Sequence, residues 1–201
     1  RYQEVTGVQT CALPISACCL LGYLYQGPPF RFGYQGLGEP LCWLAFGPFA
    51  YSAVLIALNP SNIYFEDIPW KASLLLGSGP SLATTLVLFC SHFHQIIEDK
   101  KHGKNSPLVR LGAKKGSQFV PWIIFTIYIF QLFTIVTGFI PVFCILYFIS
   151  LPQAIRLINL LQSSYNKPAL IKNCKFIAIK FQTLNGVGLI TGLIFNYLIN
   201  K

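Results

Sequence analysis

Charged residues are scarce in this chain, and acidic residues are the scarcest among them. Only 10% of the 201 residues are charged and only 6 are Asp or Glu, whereas soluble domains carry about 25% charged residues. A soluble protein of this size buries one core, but it cannot hide several separate apolar segments of membrane-spanning length. The composition therefore excludes an ordinary soluble domain and predicts a multi-pass membrane protein.

The chain also lacks any pair of cysteines at metal-binding spacing. Its 7 cysteines contain no C-x-x-C arrangement, and several lie in apolar segments. We interpret these cysteines as small membrane-helix residues and not as disulfide or zinc ligands. His92 and His94 form a His-x-His pair without a third nitrogen or sulfur ligand at suitable spacing, so zinc is disfavoured there as well.

Methionine is absent altogether, and the N-terminus is unusual. Residues 5–16 read VTGVQTCALPIS, which resembles the translation of a sequencing-library adapter. We therefore expect residues 1–16 to be an artefact. Residues 17–201 are expected to be the C-terminal part of one membrane domain whose natural N-terminal part is missing.

Five apolar segments predict an all-α bundle of transmembrane helices, because about 20 apolar residues cross a bilayer as a helix. The segments are residues 41–58, 72–95, 119–138, 139–150 with a possible extension to 161, and 184–199. Pro141 and Pro152 leave the limits of the fourth segment open. Residues 17–25 are too short to cross and are interpreted as the end of a further helix.

The basic residues predict the orientation of these spans, since Lys and Arg collect in short cytoplasmic loops. Residues 25–40, 97–118 and 151–183 hold nearly all the basic residues after position 16, while the opposite loops hold only Lys71 and Lys201. Five alternating crossings fit this distribution. The net charge of +9 is thus explained by topology and by anionic ligands, and not by nucleic acid.

The inside loop after the second span contains most of the candidate catalytic residues. If the second helix continues beyond position 91, His92, Gln95 and Asp99 lie on nearly one face. Mg²⁺ prefers oxygen ligands and binds through one or two carboxylates together with substrate phosphates. The pair Glu98 and Asp99 therefore predicts a magnesium site at the membrane border.

Basic side chains follow these carboxylates closely, at Lys104, Arg110, Lys114 and Lys115. Such cations bind diphosphate oxygens and stabilise diphosphate as it departs. The segment is thus interpreted as a metal–diphosphate clamp. The alternative is an ordinary positive-inside loop with a solvated acidic pair.

The first inside loop is rich in glycine, proline and aromatic residues. Arg31 offers a phosphate contact, and Tyr34 offers a flat surface for an aromatic ring or an isoprenoid chain. Glu39 is one of the few acidic residues and closes this loop. The alternative interpretation of the aromatic residues is an interfacial belt.

These two loops carry a family resemblance. Residues 27–39 (GPPFRFGYQGLGE) and residues 91–112 (SHFHQIIEDKKHGKNSPLVRLG) resemble the 1,4-dihydroxy-2-naphthoate prenyltransferases of the UbiA superfamily, particularly the cyanobacterial and plastid branch. The resemblance covers essentially all of the chain after residue 16. It implies a bundle of nine transmembrane helices, of which this chain begins at the end of the fourth. It also implies a site open to the cytoplasmic or stromal face and a lateral portal for a lipid chain.

The chemistry implied by the resemblance is transfer of a phytyl or polyprenyl group from its diphosphate to 1,4-dihydroxy-2-naphthoate or 2-carboxy-1,4-naphthoquinone. Diphosphate leaves with the help of Mg²⁺, the aromatic ring attacks the carbocation, and the ring carboxylate is lost as CO₂. Such a step belongs to phylloquinone or menaquinone biosynthesis. The expected location is a cyanobacterial cell or thylakoid membrane or a plastid membrane.

The residues and the resemblance together predict a set of site residues. Catalytic roles are expected for Asp99, Lys104 and Arg110. Diphosphate contacts are expected from Arg31, Lys104, Arg110 and Lys114. Contacts with the other substrate are expected from Tyr34, Glu39, His92, His94 and Gln95. Asp99 and Glu98 are expected to meet Mg²⁺ through the metal–diphosphate, and Phe93, Trp122 and Tyr128 are further rings that could line a π-rich pocket.

The chain departs from the family pattern at one position. Many relatives have Asp at both ends of a DxxxD pattern, whereas this chain has Gln95 at the first and Asp99 at the second. This departure leaves Asp99 as the metal-side residue. The family's first acidic motif would lie upstream of residue 17, so the chain by itself is expected to be inactive.

Two alternative functions follow from the same features. Another UbiA-type aromatic prenyltransferase, acting on homogentisate or 4-hydroxybenzoate, is disfavoured by the HFHQ and GKNSPLVRLG segments. A membrane transporter is disfavoured because transporters place ionisable groups near the middle of the membrane. The long spans here carry none there.

Overall fold

The computed structural model describes residues 3–58 and 68–201, with side chains from residue 12 onward in those ranges, residue 168 excepted. All regular structure in these ranges is helical. The helices are α1 (Gln3–Gln26), α2 (Gly38–Leu44), α3 (Ala50–Leu58), α4 (Trp70–Ser91), α5 (Ile96–Lys101), α6 (Pro107–Val136), α7 (Leu151–Ser164), α8 (Pro168–Ile171) and α9 (Cys174–Ile199). A π-helical turn, Ala45–Phe49, joins α2 to α3, and 3₁₀ segments at His92–His94 and Val142–Ser150 precede α5 and α7.

Five helical segments of the described chain are long and apolar enough to cross a membrane. They are Gly38–Leu58, Trp70–His94, Pro107–Val136, Val142–Ser164 and Ala169–Ile199. The predicted all-α, multi-pass bundle is thereby confirmed, and each predicted span overlaps one of these segments. The apolar helix Ala12–Gln26 is shorter. Because α1 runs across position 16 without a break, the backbone does not mark the predicted boundary there, which stays a prediction. Most of the predicted outer loop, 59–71, lies outside the described residues.

The spans differ from their predicted limits where polar residues join the helix. The third span was expected to begin at 119, but α6 begins at Pro107, whose fixed φ suits the first helical turn. Gly112, at φ 78°, then bends the helix before its apolar part. At the other end, Gly138 has φ 76°, and the Phe139 N–H donates to the Thr134 carbonyl oxygen at 3.0 Å. This left-handed cap ends α6 and lets the fourth span begin after Pro141.

Helix α4 lies at the centre of the bundle. In its 18-residue apolar stretch 56% is buried, against 22–33% of the corresponding stretches in the other four spans. It packs against α2, α3, α6 and α9. A Cβ on Gly77 would approach the Gly47 carbonyl carbon to 2.8 Å, so the π-helical turn crosses α4 at backbone contact. This central position places the end of α4 among the two inside loops.

Buried polar side chains join the spans to one another. Gln131 of α6 and Asn185 of α9 exchange two amide hydrogen bonds, at 2.5 and 3.0 Å. Gln182 of α9 donates to the Thr84 hydroxyl oxygen of α4 at 2.7 Å. Such pairs give buried polar groups the hydrogen bonds that lipid chains cannot provide. They also fix the rotation of α9 relative to its neighbours.

Candidate active site

The second inside loop begins with a break in the helix. The continuous helix expected over His92, Gln95 and Asp99 is wrong, because α4 ends at Ser91, a 3₁₀ turn follows, and Gln95 has φ −103° and ψ 0°. This bridge-region conformation turns the chain before α5. The Asp99 N–H still donates to the Gln95 carbonyl oxygen at 2.7 Å. The turn brings Asp99 back against the end of α4.

Four of the predicted site residues meet at this turn. His92 Nδ1 lies 3.1 Å from Asp99 Oδ2, and His92 Nε2 lies 3.7 Å from Glu39 Oε1. Lys104 Nζ lies 3.5 Å from Asp99 Oδ1, and the Lys104 N–H donates to the Asp99 carbonyl oxygen at 2.8 Å. We call Glu39, His92, Asp99 and Lys104 the polar cluster. One imidazole in it faces two carboxylates from separate loops.

The polar cluster is largely removed from solvent. His92 is 3% exposed and Asp99 is 8% exposed. Both carboxylate oxygens of Glu39 are buried and accept no hydrogen bond within the described part of the chain. A buried carboxylate without hydrogen bonds costs several kcal/mol. Within the described part of the chain, both Glu39 oxygens therefore retain unused hydrogen-bond acceptor capacity.

The two inside loops dock directly on each other beside the polar cluster. The Asn105 N–H donates to the Tyr34 carbonyl oxygen at 2.7 Å, and the Arg110 guanidinium donates to the Gln35 carbonyl oxygen. Gly36 lies at this contact with φ 76°, and a Cβ there would approach the Asn105 carbonyl oxygen to 2.5 Å. The two loops thus form one surface.

The remaining predicted residues lie around the polar cluster at different distances. Arg31 is exposed, with its guanidinium 5.9 Å from the centre of the Tyr34 ring. Lys114 is exposed on α6 beyond the bend at Gly112, and Gln95 is half-buried at the turn. None of these three side chains forms an ion pair with the polar cluster among the described residues.

Two predicted residues, Glu98 and His94, form no ion pair with the polar cluster among the described residues. Glu98 is exposed, and its carbonyl oxygen faces His102 Nδ1 at 2.8 Å. His94 is half-buried, and its Nδ1 is buried without a hydrogen bond in the described structure. Asp99 is therefore the better placed of the two adjacent carboxylates.

An apolar cavity of about 690 Å³ lies next to the polar cluster. Its walls come from α1 to α4 and α9, and its lining includes Ser91, which directly precedes His92, and Cys42, one turn after Glu39. The other rings proposed from the sequence lie elsewhere. Trp122 is 68% exposed, while Phe93 and Tyr128 are buried in the helix core. The cavity suits an apolar chain or an aromatic ring.

Sequence reasoning missed two features of this cavity. Tyr25 lies at the end of α1, lines the cavity, and packs on the first inside loop, where a Cβ on Gly38 would approach its ring to 3.0 Å. Gln182 and Thr84, which are hydrogen-bonded to each other, also line it. The available signal was a tyrosine directly before the glycine-rich loop and a glutamine within an otherwise apolar span.

The donor set of the polar cluster fits a magnesium–diphosphate complex. No three His, Cys, Asp or Glu side chains in the described ranges are placed to hold a metal by themselves. Mg²⁺, however, takes one or two carboxylates and completes its shell with phosphate oxygens and water. The unbonded Glu39 oxygens and the neighbouring Asp99 supply such carboxylates, with Lys104 beside them.

Two curated proteins are similar to nearly the whole chain. The 2-carboxy-1,4-naphthoquinone phytyltransferase of Synechocystis sp. is 38% identical over 178 residues, which are 89% of this chain and 56% of that protein. The chloroplastic 2-carboxy-1,4-naphthoquinone phytyltransferase of Arabidopsis thaliana is 39% identical over 184 residues, which are 90% of this chain and 48% of that protein. The chain is homologous to these phytyltransferases.

The homology confirms the predicted resemblance to UbiA-type naphthoquinone prenyltransferases. The chain spans about half the length of the curated relatives it matches. No protein-family profile matches the chain. No solved structure matches it either.

Proposed function

We propose that this chain is the C-terminal part of a membrane enzyme that transfers a phytyl or polyprenyl group from its diphosphate to a carboxylated naphthoquinol or naphthoquinone. The observation that carries the proposal is the polar cluster of Glu39, His92, Asp99 and Lys104 beside an apolar cavity of about 690 Å³. The names of the two relatives supply the substrate class. The polar cluster forms a charged end of the site for the donor's diphosphate, and the cavity forms an apolar end for its hydrocarbon chain.

The charged end would bind the diphosphate. Asp99 and Glu39 would hold Mg²⁺ together with the diphosphate, and Mg²⁺ when bound neutralises charge that develops on the leaving oxygen. Lys104, 18% exposed, already lies against Asp99 and can also reach a bound anion. Arg31, Arg110 and Lys114 border the docked loops and would contact the outer phosphate oxygens. These cations stabilise diphosphate as the carbon–oxygen bond breaks and both electrons leave with it.

The apolar end would protect the allylic carbocation. Its cavity lining is almost wholly apolar, with Thr84, Ser91 and Gln182 among its few polar members. Exclusion of water prevents simple hydrolysis of the carbocation. Tyr25 supplies an aromatic ring to this lining.

The aromatic acceptor would lie between the two ends. The Glu39 oxygen that is not used by Mg²⁺ would accept a hydrogen bond from an acceptor hydroxyl, while His92 lies between Glu39 and Asp99. Tyr34, His94 and Gln95 are further proposed contacts. The ring forms a new carbon–carbon bond to the allylic carbon, and the electrons of the bond to the carboxylate return to the ring as CO₂ leaves.

The proposal includes the side of the membrane on which the active site lies. Basic residues gather around the polar cluster, which favours the cytoplasmic or stromal face of a cyanobacterial or plastid membrane. The chain spans about half the length of its curated relatives, so the proposal concerns the full-length enzyme.

The direct test supplies the full-length protein, in membranes or detergent, with 1,4-dihydroxy-2-naphthoate and with either phytyl diphosphate or a longer polyprenyl diphosphate. We expect a prenylated, decarboxylated product by mass spectrometry, and no product after chelation of Mg²⁺. A product that retains the carboxylate, or prenylation of homogentisate in preference to the naphthoate, would replace the proposed reaction with that of another aromatic prenyltransferase.

A further inference from the structure

A second groove lies between α7 and the start of α9, apart from the polar cluster. Its volume is about 530 Å³. One part of its lining is polar and the other is apolar, with Arg156, Asn159 and Asn173 in the first and Ile155, Leu160 and Ile177 in the second. None of these residues belongs to the proposed catalytic machinery.

Arg156 is a cation without an acidic partner among the described residues. It is exposed on α7, about two turns or roughly 12 Å before the end of that helix. No ion pair joins it to a carboxylate of the described residues, and the sequence contains no Asp or Glu after Asp99. A long arginine side chain of this kind extends its charged head to the membrane surface, where it can pair with an anion.

Two neutral donors face the same groove. Asn159 lies one turn after Arg156 on the same face of α7, and Asn173 comes from the N-terminal end of α9. None of the hydrogen bonds between described residues uses either side-chain amide, although the Asn159 carbonyl oxygen accepts from the Ser163 hydroxyl at 2.7 Å. The groove thus presents one guanidinium and two amides, a set that matches a ligand with several acceptor oxygens and a negative charge.

The apolar part of the groove can accommodate an apolar portion of the ligand. Ile155 is 51% exposed and, with Leu160 and Ile177, forms an aliphatic wall beside the donors. We propose that this groove binds an anionic phospholipid, with its phosphate on Arg156, Asn159 and Asn173 and an acyl chain along Ile155 and Ile177. Charge complementarity favours an acidic lipid over a zwitterionic one.

The test is native mass spectrometry of the full-length protein in detergent, titrated with phosphatidylglycerol or with phosphatidylcholine. We expect the wild-type protein to retain phosphatidylglycerol preferentially. Arg156→Gln should weaken that retention about fivefold, since one basic residue near a membrane surface contributes about that factor. Lys180→Gln, which removes an exposed cation of α9 that does not line the groove, should leave it unchanged.

Further measurements distinguish a bound lipid from other occupants of the groove. Asn159→Leu, an exposed substitution that keeps Arg156, should weaken phosphatidylglycerol retention to a smaller extent, and inorganic phosphate at millimolar concentration should not displace the lipid. Equal loss in Arg156→Gln and Lys180→Gln would overturn the proposal. So would full displacement by phosphate alone, or a shift from dimer to monomer in Arg156→Gln, which would assign the groove to a free anion or to a second copy of the chain.

Discussion

The backbone N–H of Asn105 donates a hydrogen bond to the Tyr34 carbonyl oxygen across 2.7 Å. This contact joins two loops that are separated along the chain by two membrane spans. The Arg110 guanidinium reinforces it by donating to the Gln35 carbonyl oxygen, 75 positions away in the sequence. Because Glu39 follows one loop and Lys104 lies in the other, the polar cluster depends on this docking.

Gly36→Ala tests the docking of the loops. The new Cβ would meet the Asn105 carbonyl oxygen at 2.5 Å, so we expect prenyl transfer to fall by roughly tenfold or more as the loops separate. Gly138→Ala is the matched control, because Gly138 has the same φ of 76° and no atom within 4 Å of the position that a new Cβ would take. Both variants should lose about 1–2 kcal/mol of stability from left-handed backbone strain. Equal activities in the two variants would show that the docked loops are dispensable.

Asp99→Asn tests the carboxylate of the polar cluster. The substitution keeps the shape but removes the charge that faces His92 and Lys104, so we expect Mg²⁺-dependent turnover to fall by about 100-fold or more. Glu98→Gln removes the adjacent, exposed charge and should cost much less. Steady-state rates at saturating and limiting Mg²⁺ would rank the two carboxylates, and a larger loss in Glu98→Gln would reassign the metal-side residue.

Glu39→Gln should separate stability from activity. Both Glu39 oxygens are buried without hydrogen bonds, so a neutral amide of the same shape should leave stability unchanged or raise it by about 1 kcal/mol. Turnover should nevertheless fall by roughly tenfold or more, since the free oxygens are proposed to meet the ligand. Thermal unfolding in detergent and product formation measure the two effects. A strongly destabilised variant with normal turnover per folded molecule would give Glu39 a structural role.

Gly188→Ala tests the packing of α9 on the Val142–Ser150 segment. A Cβ there would approach the Tyr147 Cα to 2.6 Å, whereas Gly186 has no atom within 4 Å of its corresponding position. We expect Gly188→Ala to lose about 1–3 kcal/mol of stability through overpacking, while Gly186→Ala should be neutral. Unfolding midpoints of the two variants provide the comparison. Similar midpoints would mean that α9 can shift away from the segment at little cost.

The membrane spans were predictable because bilayer thickness sets a length and a composition that are visible along the chain. The first and last residues of these spans were less predictable. Residues 107–118 are polar and basic, but they extend α6 well before its apolar part, because Pro107 starts a helix and Gly112 bends it. Hydropathy reports the environment of a residue and not its backbone conformation.

The sequence allowed the residue types of the candidate site to be chosen, and their side of the membrane stays a prediction. Asp99 and Lys104 were named from their charges, and positive-inside counting put them on the same side as Glu39. The predicted helical face was nevertheless wrong, because the chain turns at Gln95 and delivers Asp99 to His92 by a different route. Tyr25 was overlooked because its position directly before the glycine-rich loop does not reveal that residues of α4 and α9 line the same cavity.

The sequence by itself determined the helical membrane class, the number of spans, the chemical character of the two inside loops and their resemblance to naphthoquinone prenyltransferases. Only the tertiary structure decided which polar residues meet. It placed Asp99 against His92 while Glu98 stays exposed, and it left the Glu39 oxygens without hydrogen bonds and Arg156 without an acidic partner among the described residues. Composition and periodicity are local properties of a chain, whereas contact between side chains depends on helix rotation and on the turns between helices, which long-range packing sets.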